Sequence, residues 1–287
     1  MNFVFYLHDV ASLKEAEDTL LYFRSKYTII PSTEISKVVS EGGRGNHVVL
    51  TIDDGWRSTY DYFFPICKKY NIPVTIFVSP QVAKTAENLW FYKLKYCNES
   101  KVLEYLVDNY IFEKSLTGHP VDLALKELTI DKVNNIIDSL LESQLPRGFC
   151  NIEELREMHK SGLVTIGAHT MIHPILSNET DERSEYEIKE SIKQLEDILQ
   201  DSVTTFAYPN GLYGVDFGER EKKVCRENGI KKAFSVDPGV LGRNMDWMSI
   251  PRCGSINRLK LGRLGMILPS LYNQAGKRES IRKKKVL

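Results

Sequence analysis

The sequence predicts an α/β protein built on a parallel sheet or barrel, and three observations lead there. Apolar runs of strand length recur at residues 3–7, 28–30, 48–52, 74–78, 164–168, 204–208 and 233–236. The segments between them mostly carry helical periodicity, and strands that alternate with helices imply parallel pairing. Two of the runs lead directly into clusters of ionisable residues, as happens where the carboxyl ends of parallel strands assemble a site.

The first run ends in His8-Asp9, and the run at 48–52 ends in Asp53-Asp54-Gly55. A helix over residues 58–70 follows, with Tyr62, Phe63, Ile66 and Tyr70 on one face. Asn71-Ile72-Pro73 stops it just before the next strand, which completes a βαβ unit. Residues 88–144 change character to two or three amphipathic helices with no strand between them. A stretch this long reads as a helical insertion, folded over the rim of the site as a lid. The run at 164–168 leads into His169-Thr170-Met171-Ile172-His173-Pro174, and a helix over 181–199 serves as its crossover.

With 287 residues, 42% hydrophobic and 26% charged, the chain can build one large α/β domain or two small ones. The five cysteines are odd in number, scattered and without a Cys-x-x-Cys pair, so free thiols are expected rather than ligands. The formal net charge of zero conceals a basic end: residues 258–287 hold nine Lys or Arg against the single acid Glu279. Such a tail suits peripheral contact with an anionic membrane surface, or a solvated terminus. No basic leader precedes the first strand and no run reaches membrane-span length, so neither a signal peptide nor a transmembrane helix is expected. No nucleic-acid partner is expected either.

An Asp-Asp-Gly tripeptide is by itself often only a turn. At a strand end, however, a glycine turn brings both carboxylates into one mouth, where one binds a cation and the other accepts a proton. Two imidazoles with one carboxylate make a three-ligand site that leaves a coordination position for water. Zn2+ suits it best, and other first-row divalent ions also fit.

At this point the residues resemble a known family. Thr51-Ile52-Asp53-Asp54-Gly55, the His-Thr-x-x-His-Pro segment and Phe206-Ala207-Tyr208-Pro209-Asn210-Gly211 are similar to the first three motifs of the polysaccharide deacetylases, carbohydrate esterase family 4 or NodB homology domain. The third motif points to the subset with an FAYPxG-type sequence. The resemblance implies a distorted (β/α) barrel of seven strands over residues 1–257, with the basic tail at 258–287 outside it. It also implies a metal-dependent hydrolase that removes acetyl groups from N-acetylated sugars of a glycan, polysaccharide or glycolipid precursor. By motif, Asp54, His169 and His173 would hold the metal, and Asp53 would be the general base. Rivals are an O-acetyl esterase or other amide hydrolase with the same site, and a non-catalytic glycan-binding member.

The chain departs from the family pattern in the proton donor. No histidine follows His173, and the segment where one would be sought, Ile250-Pro251-Arg252-Cys253-Gly254, offers an arginine and a cysteine. His8, in an early strand as in a subset of the family, is the candidate acid. Arg252 is the candidate that orients Asp53 and keeps it ionised. Among the aromatic residues near the motifs, Tyr208 is the expected sugar contact, and a backbone N–H near it the expected oxyanion donor. Without an export signal, a cytoplasmic location is expected, peripheral at the inner membrane face through the tail.

Overall fold

The computed structural model describes residues 1–43, 45–109 and 121–254. The basic segment 258–287 lies outside the described residues. Strands β1 (Phe3–Leu7), β2 (Thr28–Ile29), β3 (His47–Ile52), β4 (Val74–Val78), β5 (Val164–Ala168), β6 (Thr205–Ala207), β7 (Lys232–Phe234) and β8 (Arg252–Gly254) form one sheet. Seven of them run in the order β7-β6-β5-β4-β3-β1-β8, and β2 adds only to β3. Every pairing is parallel. A parallel bridge between Phe234 and Ile250, two residues before β8, brings the ends of the series together. The expected seven-stranded distorted barrel is therefore present. The expected runs match β1 to β7 to within two residues at each end, whereas β8 carries too few apolar residues to stand out.

Strand alternation sorts the side chains into two layers. Phe3, Phe5 and Leu7 of β1 face outward and pack with Leu20 and Phe23 of helix α1 (Leu13–Lys26). Val4, Val49, Phe77, Ala207, Phe234 and Ile250 face inward and plug the barrel. Helix α10 (Asp181–Leu199) has the predicted bounds and lays Ile188, Ile192 and Leu195 on the outer layer. The predicted helix at 58–70 is split. A π-helical turn covers Thr59–Phe63, and α3 (Phe64–Tyr70) has Pro65 in its first turn. A proline lacks the N–H needed to continue the preceding hydrogen-bond ladder.

Among the described residues, the segment at 88–144 carries four short helices, at Trp90–Leu94, Glu99–Asn109, Val121–Leu125 and Ile130–Leu140. They share an apolar core of their own that includes Val102, Leu106, Leu125, Val133 and Ile137, with Ile172 of the histidine loop packed against it. Its base is fastened to the barrel: the Asn88 side chain accepts from the Gly148 N–H at 2.8 Å and donates to the Pro146 carbonyl at 3.1 Å. No helix among the described residues is long and apolar enough to cross a membrane.

Candidate active site

Parallel pairing puts the ends of β1, β3, β5 and β6 at one mouth of the barrel, and the ionisable residues emerge there. After β3, Asp54 and Gly55 adopt φ of 71° and 70°. After β5, Thr170 and His173 adopt φ of 64° and 61°. Left-handed backbone at non-glycine residues costs about 1–3 kcal/mol each and persists only where surrounding structure imposes it. Here it turns Asp54 and His173 inward. The Thr170 hydroxyl accepts from the His173 N–H at 3.0 Å and so holds the turn between the two histidines.

Asp54, His169 and His173 are buried, and one ligand atom from each lies within 4.8 Å of the others. Asp54 Oδ1 stands 3.5 Å from His169 Nε2 and 3.4 Å from His173 Nε2. The Nδ1 of His169 lies 2.7 Å from the Ala207 carbonyl. A carbonyl only accepts, so that nitrogen carries the proton and Nε2 is left as the ligand atom. Burial pushes the His173 imidazole down to about 3, so it stays neutral. Burial acts to raise the Asp54 carboxyl, but the contact with His169 and the nearby His173 and His8 together outweigh this and hold it well below the usual carboxylate range. A carboxylate facing two imidazole nitrogens is the donor set of a divalent cation site.

Asp53 stands beside this group but faces a different partner. Its Oδ1 accepts from Arg252 Nη1 at 2.7 Å, and the same nitrogen donates to Thr51 Oγ1 at 3.1 Å. Arg252 is fully buried, its Nε donates to the Ser235 carbonyl at 2.9 Å, and its guanidinium lies 5.0 Å from the Tyr6 ring. Register accounts for that packing, because Tyr6 of β1 faces Gly254 of β8 and any side chain at Gly254 would collide with the Tyr6 ring. Burial works to raise the Asp53 carboxyl, but the charge and hydrogen bond of Arg252, with His169 and His8 nearby, together keep it below the usual range.

These groups line a cavity of about 400 Å³ together with His8, Trp56, Tyr208, Asn210 and, from the helical segment, Trp90, Phe91, Asp122, Leu123 and Lys126. Every residue expected from the sequence thus reaches this region, Arg252 through Asp53. His8 is exposed at the end of β1, its ring 5.5 Å from that of Tyr6. Tyr208 occupies a different setting from the one foreseen. Its ring is fully buried and stacked 3.7 Å from Phe217, and its hydroxyl donates to the Met248 carbonyl at 3.0 Å. Its backbone N–H is also engaged, by the Phe234 carbonyl at 3.1 Å.

Two contributors were not singled out from the sequence. Trp56 donates its indole N–H to Asp54 Oδ2 at 2.9 Å. Glu187, fully buried on α10, accepts the N–H groups of Met171 and Ile172 at 2.9 and 3.2 Å and so braces the histidine loop. The position after Asp-Asp-Gly and a carboxylate on the apolar stripe of α10 were the signals available.

The sequence model of the polysaccharide deacetylase family matches residues 40–231, well over half of the chain and all three motifs. The chain belongs to the polysaccharide deacetylase family. A curated relative within it, YxkH of Bacillus subtilis (strain 168), is 21% identical over 205 residues, covering 71% of this chain and 50% of that protein. The chain therefore spans about half the length of the curated relative it matches. Solved structures share the fold. IcaB from Ammonifex degensii superposes with a TM-score of 0.61 at 18% identity, over 90% of this chain and 93% of that one. The Streptococcus pyogenes deacetylase PplD, solved with acetate, gives 0.57 at 15% identity over 88% and 90%. The BpsB deacetylase domain from Bordetella bronchiseptica gives 0.58 at 17% over 88% and 95%.

Proposed function

We propose that this polysaccharide deacetylase family member removes the acetyl group from an N-acetylated sugar of a glycan, polysaccharide or glycolipid precursor, using a divalent metal, foremost Zn2+. The observation that carries the reading is the meeting of Asp54 Oδ1 with two imidazole nitrogens beside a separate, arginine-paired Asp53. Asp54, His169 and His173 would hold the ion. When bound, such an ion acidifies a water and polarises an acyl carbonyl.

The rest of the work falls to the chain. Asp53 accepts the proton of the attacking water, while Arg252 keeps Asp53 ionised and fixes its direction. His8, at the open side of the cavity, gives a proton to the departing amine. Asp122, Lys126 and Asn210 supply polar groups for sugar hydroxyls, while Tyr208 stiffens the wall from behind. The FAYPxG-type third motif and the early-strand histidine support reading the chain as a member of that subset of the family. An intact base–arginine pair favours turnover over mere glycan binding.

The decisive test is acetate release from a panel of N- and O-acetylated oligosaccharides by metal-loaded protein. Asp53→Asn is expected to keep the metal and lose turnover by about 10²–10⁴-fold. No release from any member of the panel, or an Asp53→Asn variant as active as the wild type, refutes the proposal. The proposal extends to a barrel domain over 1–257 and a cytoplasmic location, with the basic 258–287 segment touching an anionic membrane face. Unchanged liposome binding after deletion of that segment refutes the membrane contact.

A further inference from the structure

We infer that the first helix of the segment at 88–144, Trp90–Leu94, is part of the metal centre itself, through an aromatic frame of Trp56, Trp90 and Phe91 that aims two of the three ligands. The inference rests on the metal assignment above. It begins from an asymmetry between the two histidines. His169 is anchored through Nδ1 to the Ala207 carbonyl, the kind of outer hydrogen bond that normally orients a ligating imidazole. His173 has no such anchor, since its buried Nδ1 finds no hydrogen-bond partner among the described residues.

The helical segment supplies what His173 lacks. The Phe91 ring meets the His173 imidazole edge to face, with centroids 4.9 Å apart. The neighbouring Trp90 donates its indole N–H to the His173 carbonyl at 3.2 Å, which bears on a residue held at φ 61°. Phe91 also touches Trp90 at 5.7 Å and Trp56 at 5.6 Å. Trp56 in turn holds Asp54 Oδ2, which leaves Oδ1 as the oxygen that faces both imidazoles. One contiguous set of rings therefore sets the direction of a carboxylate after β3 and an imidazole after β5. Phe149, stacked 4.8 Å from Trp56, backs the frame where the chain returns to the barrel.

Zinc affinity, measured by chelator competition on the full chain, tests this for Trp56→Phe, Trp90→Phe and Phe91→Leu. Trp247→Phe serves as a packing control and Asp54→Ala as a ligand control. The absorption spectrum of the Co2+-loaded proteins reports ligand geometry independently of activity. Each frame variant is expected to bind zinc about 10- to 100-fold more weakly and to shift the Co2+ bands, as loss of outer-shell partners does. The metal-free proteins should melt close to the Trp247→Phe control. Affinity within about threefold of the wild type, with unchanged Co2+ bands, overturns the inference. If Phe91→Leu or Trp90→Phe does not fold, Trp56→Phe decides, because it removes the indole N–H that holds Asp54 while keeping an aromatic ring in the stack. If Asp54→Ala also leaves affinity unchanged, the metal assignment itself fails rather than the frame.

Discussion

Replacing Arg252 with Met would leave a carboxylate stranded inside the barrel. Asp53 and Arg252 have side chains 4% and 0% exposed and meet at 2.7 Å. Removing one partner of a buried ion pair typically costs about 3–5 kcal/mol, mostly because the remaining charge loses its compensation. Asp53→Asn keeps the shape and an accepting oxygen but leaves the buried guanidinium without a counter-charge, so a cost of the same order, about 3–5 kcal/mol, is expected for it alone. If the two sites were independent, the double variant would lose both amounts. Pairing predicts instead that Arg252→Met with Asp53→Asn is no less stable than Arg252→Met alone, because the neutral amide no longer needs the guanidinium. The assay is urea unfolding followed by circular dichroism, with a chelator present so that metal binding does not enter. The pair's contribution also has a definite pH dependence. Asp53 titrates below its ordinary value of 3.8. Its stabilisation is thus present above that pH and lost as the medium is acidified through the lower folded value. Additivity of the two substitutions within about 0.5 kcal/mol would refute the pairing.

His8→Gln is expected to lower deacetylation by about 10²–10⁴-fold while leaving zinc affinity and melting temperature near wild type, because the side chain is exposed. Loss of metal in that variant would remove His8 from the acid role. Glu187→Gln probes the brace under the histidine loop. Burial raises the Glu187 carboxyl from 4.5 to about 7. In that interval the folded chain binds the extra proton, so wild-type stability falls as pH rises from 4.5 to about 7. The full effect is about 3 kcal/mol. An amide can accept the same backbone N–H groups without titrating. The difference in unfolding free energy between wild type and Glu187→Gln should therefore move in favour of the variant on going from pH 4.5 to 8. A pH-independent difference refutes the role of that carboxyl.

Much of the site was legible because its residues are consecutive in sequence at strand ends. Asp53-Asp54-Gly55 and His169 to His173 each follow a run of buried residues, and parallel pairing alone brings both to one mouth. Strand β8 was less legible, since Arg252-Cys253-Gly254 has neither alternation nor branched residues; its place is fixed by pairing to β1 and by the buried guanidinium. Tyr208 was legible as a position but not as an environment. Its neighbour in the stack, Phe217, lies beyond the Pro209-Asn210-Gly211 turn, and which ring returns to meet it is set by the tertiary fold. Trp56, Trp90 and Phe91 come from two segments joined only by the tertiary fold, so their common contact with Asp54 and His173 could not be read from spacing.

The backbone at this mouth explains why so many buried partners surround so few ligands. Asp54, Thr170, His173 and Asn210 all sit at positive φ, each a conformation that open chain would abandon. The barrel strands end two to five residues earlier, so sheet pairing cannot hold these turns. Local brackets hold them instead: Thr170 and Glu187 on the histidine loop, Trp56 on Asp54, and Trp90 with Phe91 on His173. A bracket that fixes a strained turn stabilises the folded chain and preorganises the ligands at once. Losing one frees the turn to relax toward ordinary backbone, so loosening of the metal-free loop and weaker ion binding should arise from the same substitution. Ligand substitutions behave differently: His173→Ala removes a donor yet leaves Thr170 and Glu187 holding the backbone. Hydrogen exchange at the Met171 and Ile172 amides distinguishes the two, rising in Glu187→Ala and staying near wild type in His173→Ala.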